Sequence, residues 1–392
     1  TTSKAHTAVK IDPQYSNDAV IYVADASRAV GVATTLLSKE MRGNFIAEHR
    51  AEYTKIRERL ANKQPKAAKL SYAESIKNGF KVDENYVPPK PNALGTQVIK
   101  NYPLETLVPY FDWTPFFISW SLAGKFPKIL TDDVVGEAAT DLYNQAQLML
   151  KDIIENHRFD ARAVFGLYPA QRTGADSVSV FDAAGQTVTH TFEHVRQQSD
   201  KVTGKPNLSL ADYISSSKDN TDYLGGFTVS IFGAEEYANE FKAKGDDYSA
   251  ILIQSLADRF AEAFAEHLHE RIRKEFWGYK ADETLDNEDF IKEKYVGIRP
   301  APGYPACPEH SEKAVLFDWL DSTNAIGTQL TEHFAMMPPS SVSGFYYSHP
   351  ESEYFNVGKI AQDQLEDYAK RKGWTLDEAK RWLGPNLDDS VG

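Results

Sequence analysis

The longest regular pattern in this sequence is an apolar stripe that runs from Asp247 to Tyr279. Side chains spaced four residues apart lie on the same face of an α-helix. The pattern therefore predicts one long helix whose apolar face is buried against the core. The side chains that form this stripe are Leu252, Leu256, Phe260, Phe264, Leu268, Ile272 and Phe276.

The predicted strands follow one another in the sequence and do not alternate regularly with helices. The segment Ser177–Phe192 is typical of a hairpin that turns at Gly185. Strands joined by short turns pair in antiparallel fashion, so we predict an α+β fold with a mainly antiparallel sheet flanked by helices. The strands are expected at Ala163–Tyr168, Ser177–Phe181, Val188–Phe192, Gly226–Phe232 and Ser343–Tyr347. The other helices of this domain are expected at Pro103–Tyr110, Val134–Asn156, Leu210–Ser215, Ala234–Lys244, Asn287–Lys294, Ser311–Leu320, Lys359–Lys372 and Leu376–Leu383.

Composition divides the chain into three segments. Residues 1–60 begin with an apolar run, Ala19–Ala26, which predicts a strand. Ser27 is the expected N-cap of the helix that follows, and a polar helix is expected at Lys39–Leu60. Residues 61–95 are first basic and then Pro-rich, which is typical of a linker or of a segment along the edge of a domain. Residues 96–392 are expected to form the main domain.

The overall charge argues against nucleic acid as a partner. The net charge is −13, and the excess of acidic residues lies after residue 70, whereas binding of phosphates requires a basic face. No apolar run approaches the roughly 20 residues that cross a bilayer, so we expect no membrane partner. The single cysteine, Cys307, is consistent with a reducing compartment, and we expect a cytoplasmic protein.

Motifs for metal binding are weak. His267 and His269 are two residues apart on the predicted long helix and therefore diverge, whereas a helical zinc site uses residues four apart. Cys307 and His310 have no further ligand nearby in the sequence. We therefore expect no metal site in this chain.

Catalytic motifs are equally weak. The sequence has no G-x-S-x-G elbow and no phosphate-binding glycine loop. Ser343, Ser348 and His349 are close in sequence, but this proximity does not establish a triad. A hydrolase that uses Ser348 or His349 is a further alternative.

The segment Ile298–His310 is a stiff loop that contains four prolines, one arginine and one tyrosine. Prolines cannot join a ladder of strands, so the backbone from Ala301 to Tyr304 is expected to present free polar groups. Gly303 allows a ligand to approach the backbone closely. The planar guanidinium of Arg299 can form two parallel hydrogen bonds to a carboxylate. Turns and core packing would explain the same residues.

Other segments add an acid and aromatic rings. Asp112 lies among aromatic residues in Tyr110–Phe117, and Tyr354 and Phe355 lie in a second aromatic segment. Together with Arg299, these groups would match a ligand that has an amino-acid end and a flat ring.

Several stretches together resemble the C-terminal part of cobalamin-dependent methionine synthase, and the resemblance extends over essentially the whole chain. They are Asp112–Pro127 (DWTPFFISWSLAGKFP), Leu256–Tyr279 (LADRFAEAFAEHLHERIRKEFWGY), Gly297–His310 (GIRPAPGYPACPEH), Ser341–Phe355 (SVSGFYYSHPESEYF) and Asp363–Trp374 (DQLEDYAKRKGW).

The resemblance implies a modular origin for the chain. Residues 1–60 look like the end of a Rossmann-like cobalamin-binding domain, 61–95 like a hinge, and 96–392 like an activation domain that binds S-adenosylmethionine. The family's D-x-H-x-x-G cobalt-binding motif is absent from the sequence. We therefore expect a piece of a longer protein that holds cobalamin poorly by itself and does not complete methionine synthesis. Zinc belongs to the full-length enzyme only.

The same resemblance implies the residues of the ligand site. Arg299 would bind the carboxylate of S-adenosylmethionine and Asp112 its ammonium group, while the backbone at Ala301 and Gly303 would meet the adenine. The remaining residues implied to lie in or near the site are Tyr304, Tyr354, Phe355, Glu293 and Glu262.

The implied activity is the reductive reactivation of the enzyme, which otherwise methylates homocysteine with methyltetrahydrofolate. Cobalamin that is oxidised to Co(II) would return to methylcobalamin with one electron and the methyl group of S-adenosylmethionine. The implied partners are the cobalamin-binding module of the same enzyme and a flavoprotein, flavodoxin or a related reductase. A local basic patch is expected to help dock that flavoprotein, formed by Arg196, Lys201 and Lys205 or by Arg271 and Lys274, with a contribution from the positive N-terminal segment. A non-catalytic protein-docking module is the alternative.

Overall fold

The computed structural model describes residues 3–15, 18–23, 26–61, 70–83, 85–202, 204–217, 220–388 and 391. The chain forms two compact units, Thr1–Ala68 and Lys69–Gly392. No helix in these described ranges combines the length and the apolar character that crossing a membrane requires.

The first unit is helical in its described part. It contains α1 (Lys4–His6), a π-helical turn (Thr7–Ile11), α2 (Ala26–Leu37) and α3 (Arg42–Ala61). The Tyr53 hydroxyl accepts a hydrogen bond from the Tyr22 N–H at 2.8 Å. Both predicted helices are present, but Ser27 lies inside α2 and does not precede it.

The prediction of a strand at Ala19–Ala26 is wrong for the residues that the structure describes. Residues 19–23 have no regular secondary structure. Residues 24 and 25 lie outside the described residues. A strand requires a neighbour that accepts its hydrogen bonds, and the described part of this unit contains no other strand.

A six-stranded antiparallel sheet organises the second unit. The strand order is β4-β3-β2-β5-β8, and β1 pairs with β2 beside this path. Strands β2 and β5 pair continuously from Asp160 opposite Phe232 to Ala170 opposite Asp222. The strands are β1 (Gly95–Tyr102), β2 (Asp160–Arg172), β3 (Ser177–Phe181), β4 (Val188–Glu193), β5 (Asp222–Phe232), the two-residue β6 (Gln329–Leu330) and β7 (Met336–Met337), and β8 (Ser341–Tyr346).

Helices cover the sheet, and the predicted α+β class is therefore confirmed. The helices are α4 (Tyr72–Lys77), α5 (Trp113–Ser119), α6 (Gly136–Glu155), α7 (Ala234–Lys242), α8 (Asp247–Arg271), α9 (Asn287–Ile291), α10 (Glu312–Leu320), α11 (Ser322–Ile326), α12 (Gln362–Lys372) and α13 (Leu376–Leu383).

Helix α8 is the predicted long helix. Asp246 caps its first turn by accepting a hydrogen bond from the Ser249 N–H, and the helix continues as a π-helical turn, Ile272–Phe276. The apolar stripe is buried in the main core, apart from the half-buried Phe276 at its end. A helix buried on one face in this way holds its side chains in fixed positions beside the sheet.

Some predicted helices are shorter elements. Pro103–Tyr110 forms two separate 3₁₀ turns, Leu104–Thr106 and Val108–Tyr110, because Pro109 lacks the N–H that a continuous helix requires. Leu210–Ser215 contains only a 3₁₀ turn, Leu210–Tyr213.

Described residues from Leu70 onward in segment 61–95 form hydrogen bonds to the rest of the second unit. The Tyr72 hydroxyl donates to Asp176 at 2.7 Å, and the Trp277 indole N–H donates to the Pro89 carbonyl at 2.7 Å. The Ala93 N–H donates to Phe276 at 2.9 Å. Residues 70–95 therefore pack on this unit, while residues 62–69 and Glu84 lie outside the described residues.

Arg196 is buried and does not belong to a docking surface. Its guanidinium binds Asp176 at 2.6 Å and Asp212 at 2.7 Å, and the side chain is 1% exposed. A buried cation with two carboxylate partners is a structural element. The expected docking role of Arg196 is therefore wrong.

Candidate ligand-binding cleft

The proline-rich loop lies along the free edge of strand β8. Ile298 exchanges two hydrogen bonds with Tyr347, both at 3.0 Å, and the Pro300 carbonyl accepts from the Phe345 N–H at 2.8 Å. Because proline cannot donate, the hydrogen-bond ladder does not continue along the loop. The chain then leaves the sheet and forms one wall of a cavity.

Internal hydrogen bonds shape this wall. The Gly303 N–H donates to Cys307 at 2.7 Å, and the Tyr304 N–H donates to Ala301 at 3.2 Å. Gly303 has a φ of +94°, and a Cβ there would lie 2.3 Å from the His310 ring. Gly303 therefore serves the packing of the loop, and its N–H is already engaged.

A cavity of about 460 Å³ lies beneath the loop. The predicted residues Arg299, Ala301 and Tyr304 line it from the loop side. Gly303 is not among its lining residues. The other residues that line it are Phe227, Glu262, Glu293, Pro300, Pro305, Ala306, Val342, Tyr354, Phe355 and Asn356.

A second cavity of about 340 Å³ continues past Arg299. Asp112 and Arg299 both line it, although they are far apart in sequence, and Glu262, Glu293 and Arg299 belong to both cavities. The two cavities therefore form one cleft, with an apolar part under the loop and a charged part between Asp112 and Arg299. Eight of the nine predicted site residues line this cleft.

Arg299 is held by an acid that the sequence did not single out as a site residue. Its Nη1 donates to Glu266 Oε2 at 2.7 Å, and Glu266 is 8% exposed although it lies on the core helix α8. Because Glu266 engages only Nη1, the rest of the guanidinium can bind a carboxylate in the cleft. Periodicity placed Glu266 off the apolar stripe, and only the fold brings it to Arg299.

Asp112 is the N-cap of α5. Its Oδ1 accepts from the Thr114 N–H at 2.9 Å, which fixes the carboxylate in the lining of the second cavity. Oδ2 has no hydrogen-bond partner among the described residues. One oxygen is thus used for the fold, and the other can accept from an ammonium group.

Tyr354 lines the cavity under the loop and contacts Tyr295, which lines the second cavity. The Tyr354 hydroxyl accepts from the backbone N–H of Arg299 at 3.0 Å and lies 3.0 Å from the Tyr295 hydroxyl. Burial raises the pKa of Tyr354, so the phenol remains protonated. Tyr295 lines the charged cavity, and no motif in the sequence indicated it.

Glu293 adopts a left-handed backbone conformation with a φ of +54°. It follows α9, where its N–H donates to Phe290 at 2.9 Å, a position at which glycine is usual. Desolvation raises the pKa of Glu293, while the nearby Arg299 charge opposes this shift. A strained acidic residue in a cleft is typical of a functional position.

The residues of the alternative hydrolase do not form a triad. His349 Nδ1 accepts from the Glu351 N–H at 3.2 Å, and its ring stacks on Tyr213 at 6.2 Å. Burial lowers the pKa of His349. Within the described ranges, no three His, Cys, Asp or Glu side chains are grouped to hold a metal ion.

The cleft of this antiparallel α+β domain is apolar at one end and charged at the other, a combination that is typical of small-molecule sites. The family model for the activation domain of vitamin B12 dependent methionine synthase matches residues 103–373. The chain belongs to this family, and the resemblance in its sequence is confirmed. It is therefore a domain of a methyltransferase.

A solved structure supports this assignment. The crystal structure of the MetH reactivation domain bound to AdoHcy is 46% identical in sequence, with a TM-score of 0.79. The alignment covers 82% of this chain and 99% of that chain.

Proposed function

We propose that the cleft binds S-adenosylmethionine and presents its methyl group to cobalamin during reactivation of the enzyme. The observation that carries the proposal is the joint lining of one cavity by Asp112 and Arg299. An acid and a guanidinium that line the same cavity match the ammonium and carboxylate groups of an amino acid.

The apolar cavity suits the nucleoside. Ala301, Tyr304 and Phe355 surround it, and the Ala301 N–H has no acceptor among the described residues. A backbone N–H on a stiff wall can meet the edge of an adenine ring, and little ordering entropy is lost when the wall is already formed. The related reactivation domain was crystallised with AdoHcy, which is S-adenosylmethionine without the transferred methyl group.

Methyl transfer requires little acid–base chemistry from this chain. The bond between the sulfonium and its methyl group breaks, the electron pair stays on sulfur, and S-adenosylhomocysteine remains in the cleft. Cobalamin, when bound by its own module, would accept the methyl group through its metal, so the nucleophile would come from the cofactor and not from this chain. The chain would contribute proximity, because it holds the methyl group in one orientation.

Cobalamin itself would be held by the cobalamin-binding module of the enzyme. None of the residues that line the two cavities of the cleft is a histidine. We propose that flavodoxin or a related flavoprotein delivers the electron. Residues 1–60 would be the end of the cobalamin-binding module.

Calorimetric titration of S-adenosylmethionine tests the proposal. Wild type should show one saturable site, and Arg299→Ala should weaken binding by roughly a hundredfold, since it removes a charged hydrogen-bond donor from a carboxylate. Arg271→Ala is the matched control, because Arg271 pairs with Glu275 on the surface, and it should bind as wild type does. Equal affinity of wild type and Arg299→Ala would reject the site. Absence of any saturable signal in wild type would favour the protein-docking alternative.

A further inference from the structure

Tyr295 and Tyr354 form a hydrogen-bonded pair beside Arg299, and the direction of donation between their hydroxyls can be worked out from their surroundings. The oxygen of Tyr354 accepts from the Arg299 backbone N–H, and the Tyr295 and Tyr354 hydroxyls are 3.0 Å apart. Between two hydroxyls, either group can donate. The surroundings of the two rings decide which one does.

Tyr295 is the buried member of the pair. It is 8% exposed, whereas Tyr354 is 36% exposed, and the Tyr295 hydroxyl has no other partner among the described residues. If Tyr354 donated to Tyr295, the proton of Tyr295 would be buried without an acceptor, at a cost of about 1–3 kcal/mol. Tyr295 therefore donates to Tyr354.

The remaining proton of Tyr354 then points away from both partners. Its oxygen already accepts from the Arg299 N–H and from Tyr295, which uses the two acceptor positions of a hydroxyl. Tyr354 lines the cavity under the proline-rich loop. Its O–H is thus a donor directed into the cleft and is oriented before any ligand binds.

The ring of Tyr295 is fixed on its faces and at its edge. The guanidinium carbon of Arg273 lies 4.6 Å from the ring centroid, and that of Arg299 lies 5.9 Å from it. The rings of His269 and Tyr295 are arranged edge to face, with 4.8 Å between their centroids. Contacts between cations and rings are favourable, and together with His269 they restrict the direction of the Tyr295 hydroxyl.

We propose that Tyr295 is a positioning residue that makes Tyr354 a hydrogen-bond donor to the carboxylate of the ligand, beside the Arg299 guanidinium. This inference rests on the proposed function, because it assumes that the amino-acid end of S-adenosylmethionine lies next to Arg299. The role proposed for the Tyr295 hydroxyl acts through Tyr354, although the Tyr295 side chain also lines the charged cavity.

A double-mutant cycle tests the inference by calorimetry with S-adenosylmethionine. Tyr295→Phe keeps the ring and should weaken binding by roughly fivefold, and Tyr354→Phe should weaken it at least as much. In the Tyr354→Phe background, the added Tyr295→Phe change should have no further effect, because the first residue acts through the second. Independent, multiplying losses would overturn the proposal.

Two further measurements separate positioning from general stability. Tyr237→Phe removes a partly buried hydrogen bond to Asp152, whose two residues do not line the cleft, and should lower the melting temperature without changing affinity. Tyr354→Phe with wild-type affinity would overturn the inference even if Tyr295→Phe failed to fold. Failure of wild type to bind S-adenosylmethionine would reject the proposed function as well, whereas normal wild-type binding with an unaffected Tyr295→Phe would reject only the role of Tyr295.

Discussion

Gly303 lies directly against the imidazole of His310, so that a Cβ added to Gly303 would lie 2.3 Å from His310 Cε1. Gly303 also has a φ of +94°, which residues with a side chain rarely adopt. Two separate constraints, one steric and one conformational, therefore select glycine at the bend of the proline-rich loop.

Gly303→Ala should lower the free energy of unfolding and weaken binding of S-adenosylmethionine. Gly245→Ala is the matched control, because Gly245 has a similar φ of +78° but nothing within 4 Å of an added Cβ. Chemical denaturation should show a larger loss for Gly303→Ala than for Gly245→Ala, because the exposed His310 ring must move to admit the added Cβ. Adding His310→Ala should restore part of the difference. No restoration would mean that the clash with His310 is not the cause.

Glu293→Gly should stabilise the domain by about 1 kcal/mol while it weakens ligand binding. Glycine adopts the left-handed conformation of Glu293 without strain. Partial burial also raises the pKa of Glu293, so its ionisation opposes folding at pH 7 and ceases to do so below about pH 4, where the carboxyl is protonated in both states. The gain in unfolding free energy should therefore be larger at pH 7 than at pH 3.5.

The control for this substitution is His157→Gly, because His157 has a similar φ of +48° and lies outside the cleft. It should gain stability without any change in affinity. A loss of stability in Glu293→Gly, or unchanged affinity, would contradict the role assigned to this strained acid.

S-adenosylmethionine should bind more tightly than S-adenosylhomocysteine, by roughly fivefold at low salt. The cavity beside Arg299 is lined by more carboxylates than guanidiniums, which favours the ligand that carries the sulfonium charge. Glu262→Gln should reduce the ratio of the two affinities, as measured by competition calorimetry. Equal affinities in wild type would argue against this electrostatic selection. The charged residues are Asp112, Glu262, Glu266 and Glu293, with Arg259 and Arg299.

Arg196→Ala should strongly destabilise the domain. It would leave Asp176 buried without its cation and Asp212 with Arg172 as its remaining cation, and breaking a buried ion pair in this way typically costs about 3 kcal/mol or more. Lys201→Ala, on the same segment, should change the free energy of unfolding by no more than about 0.5 kcal/mol. Similar urea midpoints for the two variants would show that the buried ion pairs contribute little.

Sequence patterns predicted the strands and helices whose formation depends on residues that are close together in the sequence. Ser177–Phe181 and Leu376–Leu383 have the predicted bounds, because their periodicity and their turns or caps lie within a few residues. Strand β1 (Gly95–Tyr102) was missed. It pairs only with β2, and the sequence does not indicate that distant partner.

The residues of the cleft could likewise be predicted only in part, because several of their contacts join segments that are distant in the sequence. Arg299 and Asp112 were identified through resemblance to a family, and their joint lining of one cavity follows from the sheet and α8. Glu266 and Tyr295 were missed because their roles arise from contacts made only in the folded chain. The predicted backbone contact at Gly303 stays a prediction, although the Gly303 N–H is engaged within the loop.

The attachment of residues 70–93 has a practical consequence for where this domain begins. The family match starts at residue 103, but Trp277 and Phe276, at the end of the long core helix, bind backbone atoms of Pro89 and Ala93. A polypeptide trimmed to the matched region would leave the indole N–H of Trp277 without its acceptor. The smallest piece that folds well should therefore start near Leu70, some thirty residues ahead of the boundary that sequence similarity alone suggests.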